Sequence, residues 1–287
     1  MYNIYSITIP SDETTKYKII TYPAGEQQVR LQDSELEAIS EAEEIRYTFK
    51  MSQKVDIMTL CLLVDAVREA NNGNAHQEVL ILPYLPYGRA DRRFTLGDCA
   101  GLKVFGSIID GIGFDYVVTL DAHSPVAKSH VSNLFNVEPK TFINKTIEYL
   151  EENYKTTVLL PDKGASRYKK LLSKVPVLVA EKVRDPKTGV LTSFSVPDIG
   201  DAEAILIVDD ICDGGGTFKG LAAEIRKQKP GVALFLYVTH GIFSKGYLAM
   251  LDDFDHVYTT DTFEQSKWSG VSVYDTKSVL DGAIENL

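Results

Sequence analysis

The sequence predicts an α/β protein built in two halves, and three observations carry that prediction. Short apolar runs rich in β-branched residues alternate with amphipathic stretches at helical spacing. The alternation runs once before and once after about residue 141. Polar chemistry closes three of the predicted strands, in "TLDAHS", "LLPDKGASR" and "IVDDICDGGGT", and strand ends are where open α/β sheets take their ligands.

The predicted strands are "EVLILPY" (78–84), "DYVVTLD" (115–121), "TTVLLPD" (156–162), "VPVLVAEK" (175–182), "EAILIVDD" (203–210) and "VALFLYVTH" (232–240). Near-continuous apolar runs of this length, bounded by turn residues, are the pattern of parallel strands buried on both faces. Between them, "KVDIMTLCLLVDAVREANNG" places Val55, Met58, Leu62, Ala66 and Val67 on one helical face, with Gly73 as its stop. "TFKGLAAEIRKQKPG" turns Leu221, Ala222 and Ile225 inward and ends at Pro230-Gly231. Strands and helices in this order imply mainly parallel sheets with helices on both faces.

At 287 residues the chain has room for one large or two modest domains. A net charge of −10 argues against a broad grip on nucleic acid or anionic membrane, while leaving room for a local basic pocket. Cys61, Cys99 and Cys212 are scattered, so neither a disulfide framework nor a zinc site is expected. The opening residues lack a basic start followed by an apolar block, and no apolar stretch is long enough to span a bilayer. A cytoplasmic protein is the expectation.

In "ILIVDDICDGGGTFKG" (205–220) three acids stand beside a loop suited to an anion. Gly214, Gly215 and Gly216 allow backbone N–H groups to converge on one point, and Thr217 adds a hydroxyl at the start of a helix. The loop lacks the Gly-Lys-Ser/Thr ending of a Walker motif. A sugar phosphate reconciles the two charges, its phosphate in the loop and its vicinal hydroxyls on Asp209 and Asp210, directly or through Mg²⁺. Each acid taken alone also suits a helix N-cap.

"VDDICDGGGT" resembles the signature of the phosphoribosyltransferase fold. "LPYLPYGRADRRF" (82–94) is similar to the ATP-binding stretch of the ribose-phosphate diphosphokinases, the PRPP synthetases. "TLDAHS", "LLPDKGASR", "VAEKVRD", "YPAGEQQVRL" (22–31), "VTHGIFSKG" and "VYTTDTF" follow that family's other landmarks, collinear from about residue 20 to residue 263.

The resemblance implies two phosphoribosyltransferase-like domains, each a mainly parallel sheet flanked by helices. They would cover residues 1–140 and 141–271, with 272–287 returning to the first. It implies transfer of the diphosphoryl group of Mg·ATP to the C1 hydroxyl of ribose 5-phosphate, giving PRPP and AMP. Lys182, Arg184 and His123 would be catalytic. Arg89, Asp91, Tyr22 and Glu26 would bind ATP, Tyr22 and Glu26 reaching a neighbouring subunit's nucleotide. Asp209, Asp210, Asp213, Gly214, Gly215, Gly216 and Thr217 would hold ribose 5-phosphate. His123 and Asp162 would serve Mg²⁺. Lys182 and Arg184, ahead of the turn-like "DPKTG", would close over the substrates as a lid. The implied assembly is a homo-oligomer, a dimer at least and commonly a hexamer.

The chain departs from the family's pattern at several points. Ala90 stands where Gln is usual, Gly214 where Thr is common, and Val183 replaces the middle cation of a Lys-Arg-Arg run. Tyr22 replaces Phe, Ala24 replaces a polar residue, and "SPVAKSHVSN" replaces an aromatic-rich segment. The alternatives are a PRPP-consuming phosphoribosyltransferase and a catalytically silent, synthetase-like subunit. Retention of Lys182, Arg184, His123 and Asp210 together favours the enzyme.

Overall fold

The computed structural model describes residues 2–10, 16–51, 56–172, 175–184, 191–263 and 269–287, the side chains of 183, 184, 191 and 192 excepted. The chain forms two compact units. One runs to Val137 and takes in Ser278–Leu287, and the other is Glu138–Lys277.

The first unit holds a five-stranded parallel sheet of β1 (Ile4–Ile9), β4 (Glu44–Phe49), β5 (Gln77–Leu82), β6 (Tyr116–Leu120) and β7 (Leu134–Val137), in that spatial order. An antiparallel hairpin, β2 (Tyr17–Thr21) and β3 (Gln27–Leu31), is inserted after β1. The helices α1 (Asp33–Ser40), α2 (Ile57–Asn71) and α3 (Gly101–Ile112) bury Ile39, Leu63 and Phe105 in one core with Ile7, Tyr47 and Leu80 of the sheet.

In α2 the buried face differs from the expected one. Leu60, Leu63, Val64 and Val67 are inward, Leu62 and Ala66 are only partly covered, and Met58 is 58% exposed. Val55 lies outside the described residues. Apolar residues nearly encircle this helix, so 3–4 spacing fits two stripes, and the stripe bearing more bulk faces the sheet. Asp56 caps the start, accepting from Thr59 N at 3.1 Å. Asn72, not Gly73, takes the left-handed cap at the end, with φ 53°.

The second unit holds a six-stranded parallel sheet in the order β15 (Val271–Tyr274), β14 (His256–Thr260), β13 (Ala233–Gly241), β12 (Ala204–Cys212), β8 (Thr156–Leu160) and β9 (Val177–Val179). Its helices are α4 (Lys140–Glu151), α5 (Gly216–Gln228) and the short α6 (Leu248–Leu251). In α5, Phe218, Leu221, Ala222 and Ile225 are buried, the inward set expected from spacing plus one aromatic. The last helix, α7 (Lys277–Ile284), brings Asp281 to 3.4 Å from the buried Arg46 of β4.

The run "VPVLVAEK" is two elements, not one strand. β9 ends at Val179, Ala180 donates to Leu160 O at 2.9 Å, and β10 (Glu181–Arg184) leaves the sheet to pair antiparallel with β11 (Leu191–Ser195). Phe194 of β11 fastens this ribbon to α5, where a Cβ on Gly220 would stand 2.4 Å from its ring. The sequence hid the break because Ala180 is as apolar as the strand before it.

Strand order decides where the second unit can hold a ligand. The chain passes from β8 outward to β9, then returns to β12 on the other side of β8 and continues to β13. β8 pairs with β12 only along Ala204–Ile207, while β12 goes on pairing with β13 to Cys212. Beyond Ile207 one edge of β12 is therefore open, a crevice at a reversal of strand order.

Candidate active site

Asp162, Asp209 and Asp210 gather at that crevice. Asp162 follows the end of β8, and its Oδ1 accepts from Gly164 N at 2.7 Å and Ala165 N at 3.3 Å, so it caps the 3₁₀ turn Gly164–Leu171. Its Oδ2 meets Lys182 Nζ of β10 at 2.6 Å. Burial opposes ionisation of Asp162, but Lys182 and the two backbone donors outweigh it and hold the carboxyl below its usual range.

Asp210 is buried, and its Oδ2 is 3.0 Å from Arg167 Nη2. The same Nη2 lies 2.9 Å from Tyr168 Oη, and the guanidinium sits over the Tyr168 ring. Asp209 has no basic partner among the described residues, its Oδ1 accepting from Asp210 N at 3.0 Å. Burial, then the neighbouring charge of Asp210, push its carboxyl well above the ordinary value, and Asp162 adds to the repulsion. Adjacent carboxyls of this kind attract a cation or hydroxyl donors. Oxygen-only donors suit Mg²⁺, which takes one or two carboxylates and completes its shell with water and phosphate oxygens. Among the described residues no three His, Cys, Asp or Glu side chains form a metal cage.

The glycine loop follows β12. Gly215 adopts φ 75° and caps α5, which begins at Gly216 and puts Thr217 in its first turn. A Cβ on Gly215 would stand 2.1 Å from Met250 Cε, so space and backbone both demand glycine. Asp213 Oδ1 accepts from Ser244 Oγ at 2.5 Å, and Lys245 lays its stem across Gly214, 3.3 Å from where a Cβ would be. The result is a helix N-terminus with a cation beside it, a fit for phosphate.

Behind the loop, His240 Nδ1 is 3.0 Å from Thr262 Oγ1, and Thr260 Oγ1 donates to Thr239 O at 2.6 Å. The segments "VTHGIFSKG" and "VYTTDTF" thus meet in a buried network that ties the end of β13 to that of β14.

In the first unit the candidate residues follow β5 and β6. Asp91 is 9% exposed and receives Arg92 Nε and Nη2, both at 2.9 Å, and Ser124 Oγ at 2.7 Å. The Arg92 bonds lead, burial opposes, and Ser124, the Arg92 charge and His123 add to the lowering, leaving Asp91 at about 2. This pins the loop to the end of β6. A Cβ on Gly88 would stand 3.7 Å from His123 Cβ, so the loop's Tyr-Gly-Arg stretch and the exposed His123 are neighbours. Arg93 Nε donates to Asp98 O at 3.1 Å, and Arg89 is exposed. Ala90 lies 3.2 Å from the position of a Cβ on Gly101, against the start of α3.

Tyr22 and Glu26 form the exposed tip of the β2–β3 hairpin, where Tyr22 Oη donates to Gln28 Oε1 at 2.6 Å and Tyr22 N to Glu26 O at 2.8 Å. Arg184 closes β10, its side chain lying outside the described residues together with the "DPKTG" turn. Sequence reading missed Arg167, Ser244, Lys245 and Ser124. The signal for Arg167 was present: a buried acid pair calls for a countercharge, and Arg167 lies five residues past Asp162 on the neighbouring strand's connection.

No family model matches the chain. It is similar to curated ribose-phosphate pyrophosphokinases, among them that of Vibrio cholerae, 30% identical over 225 residues that cover 74% of this chain and 68% of the relative. With the Haemophilus influenzae protein of the same name it shares 29% over 248 residues, 81% of this chain and 76% of the relative. Its fold matches a crystal structure of phosphoribosylpyrophosphate synthetase from Mycobacterium smegmatis with TM-score 0.80 at 18% identity, over 99% of this chain and 98% of the other. These likenesses, together with the acids at the crevice and the glycine loop beside them, place the chain in the ribose-phosphate pyrophosphokinase family, as an enzyme of that kind.

Proposed function

We propose that the chain transfers the diphosphoryl group of Mg·ATP to the C1 hydroxyl of ribose 5-phosphate, releasing AMP and PRPP. The observation that carries this reading is the acid cluster of the second unit, set at the reversal of strand order next to the glycine loop. One ligand satisfies both charges. Its 5-phosphate takes the N–H groups of Gly214, Gly215, Gly216 and Thr217, and its hydroxyls donate to Asp209 and Asp210.

Asp209 and Asp210 are the residues suited to hold Mg²⁺, with Asp162 beside them and His123 serving the ATP phosphates from the first unit. The ion would neutralise charge on the phosphoryl oxygens and let both adjacent carboxyls ionise. Arg167 orients Asp210. Arg89 receives ATP phosphate with its guanidinium fork, while Asp91, fully engaged by Arg92 and Ser124, shapes the loop that presents it. Lys182, held by Asp162 in the free enzyme, turns to the transferring group when substrate charge arrives, and Arg184 accompanies it. No covalent intermediate is needed, because positioning and electrostatics supply the catalysis.

Tyr22 and Glu26 contribute to the nucleotide site of a neighbouring copy, so the working form is a homo-oligomer. Among the described residues no helix is long and apolar enough to cross a membrane. The test is a product assay with ATP, Mg²⁺ and ribose 5-phosphate that follows AMP and PRPP separately. Equal formation of both, dependent on both substrates, is expected. Binding of PRPP without AMP release from ATP contradicts the proposal and favours a PRPP-consuming or silent protein.

A further inference from the structure

Between α4 and the face of the second sheet, along β13, β14 and β15, lies a cavity of about 860 Å³. Its walls are aromatic. Phe235 and Tyr258 project from adjacent strands with ring centroids 6.5 Å apart, and Tyr154 stands 5.7 Å from Phe235. Tyr149 of α4 meets Tyr258 edge-on at 6.5 Å, and Tyr274 stacks beside Tyr258 at 6.4 Å.

Tyr258 is the unusual member. It is 4% exposed and lines the cavity, yet its hydroxyl has no hydrogen-bond partner among the described residues. Other buried phenols of this chain are satisfied, Tyr5 by Glu35 and Tyr47 by Glu78. Burial raises the Tyr258 phenol first, and the neighbouring phenols of Tyr274, Tyr149 and Tyr154 add to the rise. Tyr274 has a partner in Thr146. The cavity thus offers a donor that the protein itself leaves unused.

The charge points the same way. The charged residues of the lining are Lys145, Arg226 and Asp255, a formal sum of +1 in a chain of −10. Asp255 is already engaged by Leu234 N at 2.7 Å and lies 3.7 Å from Arg226. Lys145 sits 5.3 Å over the Tyr274 ring at the rim. His256 shares its Nε2 with Ser272 Oγ at 2.9 Å, and burial keeps its imidazole neutral.

We propose that this cavity is a second binding site, for a planar aromatic acid. The ring lies against Tyr149, Phe235 and Tyr258, and the acid group takes Lys145 and the Tyr258 hydroxyl. Cavities of a few hundred Å³ with aromatic walls and a few convergent polar groups are the usual form of a small-molecule site. Because its lining shares no residue with the candidate catalytic set, ligand here does not compete directly with substrate.

The test is calorimetric titration of the full chain with 2-naphthoate, in the presence of saturating ribose 5-phosphate and without ATP. Acetate (acid without ring) and 2-naphthalenemethanol (ring without acid) are the controls. One molecule of 2-naphthoate is expected to bind per chain, both controls binding far more weakly. Lys145→Glu and Tyr149→Ser change exposed side chains, so folding is not at risk, and each should weaken binding roughly tenfold while PRPP formation is unchanged. Tyr258→Phe, which removes only the hydroxyl, should weaken it by a smaller factor. Absence of saturable binding, or binding indifferent to both surface substitutions, overturns the proposal. So does a change of sedimentation coefficient in Tyr149→Ser without any loss of 2-naphthoate, because the face would then belong to a second copy of the chain.

Discussion

The first unit displays its candidate residues on a loop after β5, whereas the second sinks them into the ends of β8 and β12. The topologies account for the contrast. The first sheet runs β1-β4-β5-β6-β7 in one direction, while the second reverses between β12 and β8. A reversal leaves a crevice that can take carboxyls out of solvent and raise one of them, Asp209. Without a reversal, the acid of the first unit is engaged in place by Arg92 and Ser124, and its candidate cation, Arg89, stays exposed.

The halves nonetheless share a local pattern. "VVTLD" (117–121) and "VYTTD" (257–261) close β6 and β14, and in both the Thr hydroxyl, of Thr119 and of Thr259, is buried without a partner among the described residues. The acids that follow have diverged. Asp121 sits in a left-handed conformation with φ 47°, while Asp261 accepts from Thr276 N at 3.0 Å. Equal strand ends therefore do not make equal sites; the connections between strands do.

The largest effect that would break this contrast is expected at the ribbon. Lys182→Ala should lower turnover by about two to three orders of magnitude, as loss of one aimed donor does, with little change in the KM for ribose 5-phosphate. Steady-state kinetics checks this, and near-normal turnover would remove Lys182 from the catalytic set. Next is the loop. Gly215→Ala forces a side chain into φ 75° and onto Met250, and should destabilise by roughly 1–3 kcal/mol in a denaturant titration.

Asp209→Asn sharpens the comparison, because it removes a carboxyl whose charge is disfavoured by burial and by Asp210. The folded carboxyl is raised, so the folded state binds more protons than the unfolded chain, and stability falls as pH climbs from the usual carboxylate range through the raised value. The Asn variant should therefore melt a few degrees higher than the parent at neutral pH while losing activity, the difference vanishing in acid.

Ser124→Ala, in the first unit, should cost only about 1 kcal/mol and raise the KM for ATP modestly. Asp91 behaves with the opposite sign to Asp209. Its contribution is present above its ordinary value of 3.8 and is lost as pH falls through about 2, so Asp91→Asn and the parent should converge in stability only in strong acid.

The strands β5, β6, β8, β12 and β13, α5 and the glycine loop were legible because long apolar runs and three consecutive glycines leave few alternatives, while β1, β4, β7, β14 and β15 were not among the predicted runs. The inward face of α2 was not, since apolar residues nearly surround it. The break at Ala180 was equally hidden, because a strand leaving a sheet keeps its composition. Asp210 was readable as a candidate ligand residue, but its long-range contact with Arg167 exists only once β12 lies against β8.

The central claim is a division of labour, with ribose 5-phosphate held by the crevice of the second unit and ATP by the loop of the first. Both KM values measured in Asp210→Asn and in Arg89→Ala test it most directly. The account predicts that Asp210→Asn raises the KM for ribose 5-phosphate at least roughly tenfold with that for ATP nearly unchanged, and that Arg89→Ala does the reverse. If both substitutions raise the KM of the same substrate, or if Asp210→Asn leaves that of ribose 5-phosphate unchanged, the division is contradicted.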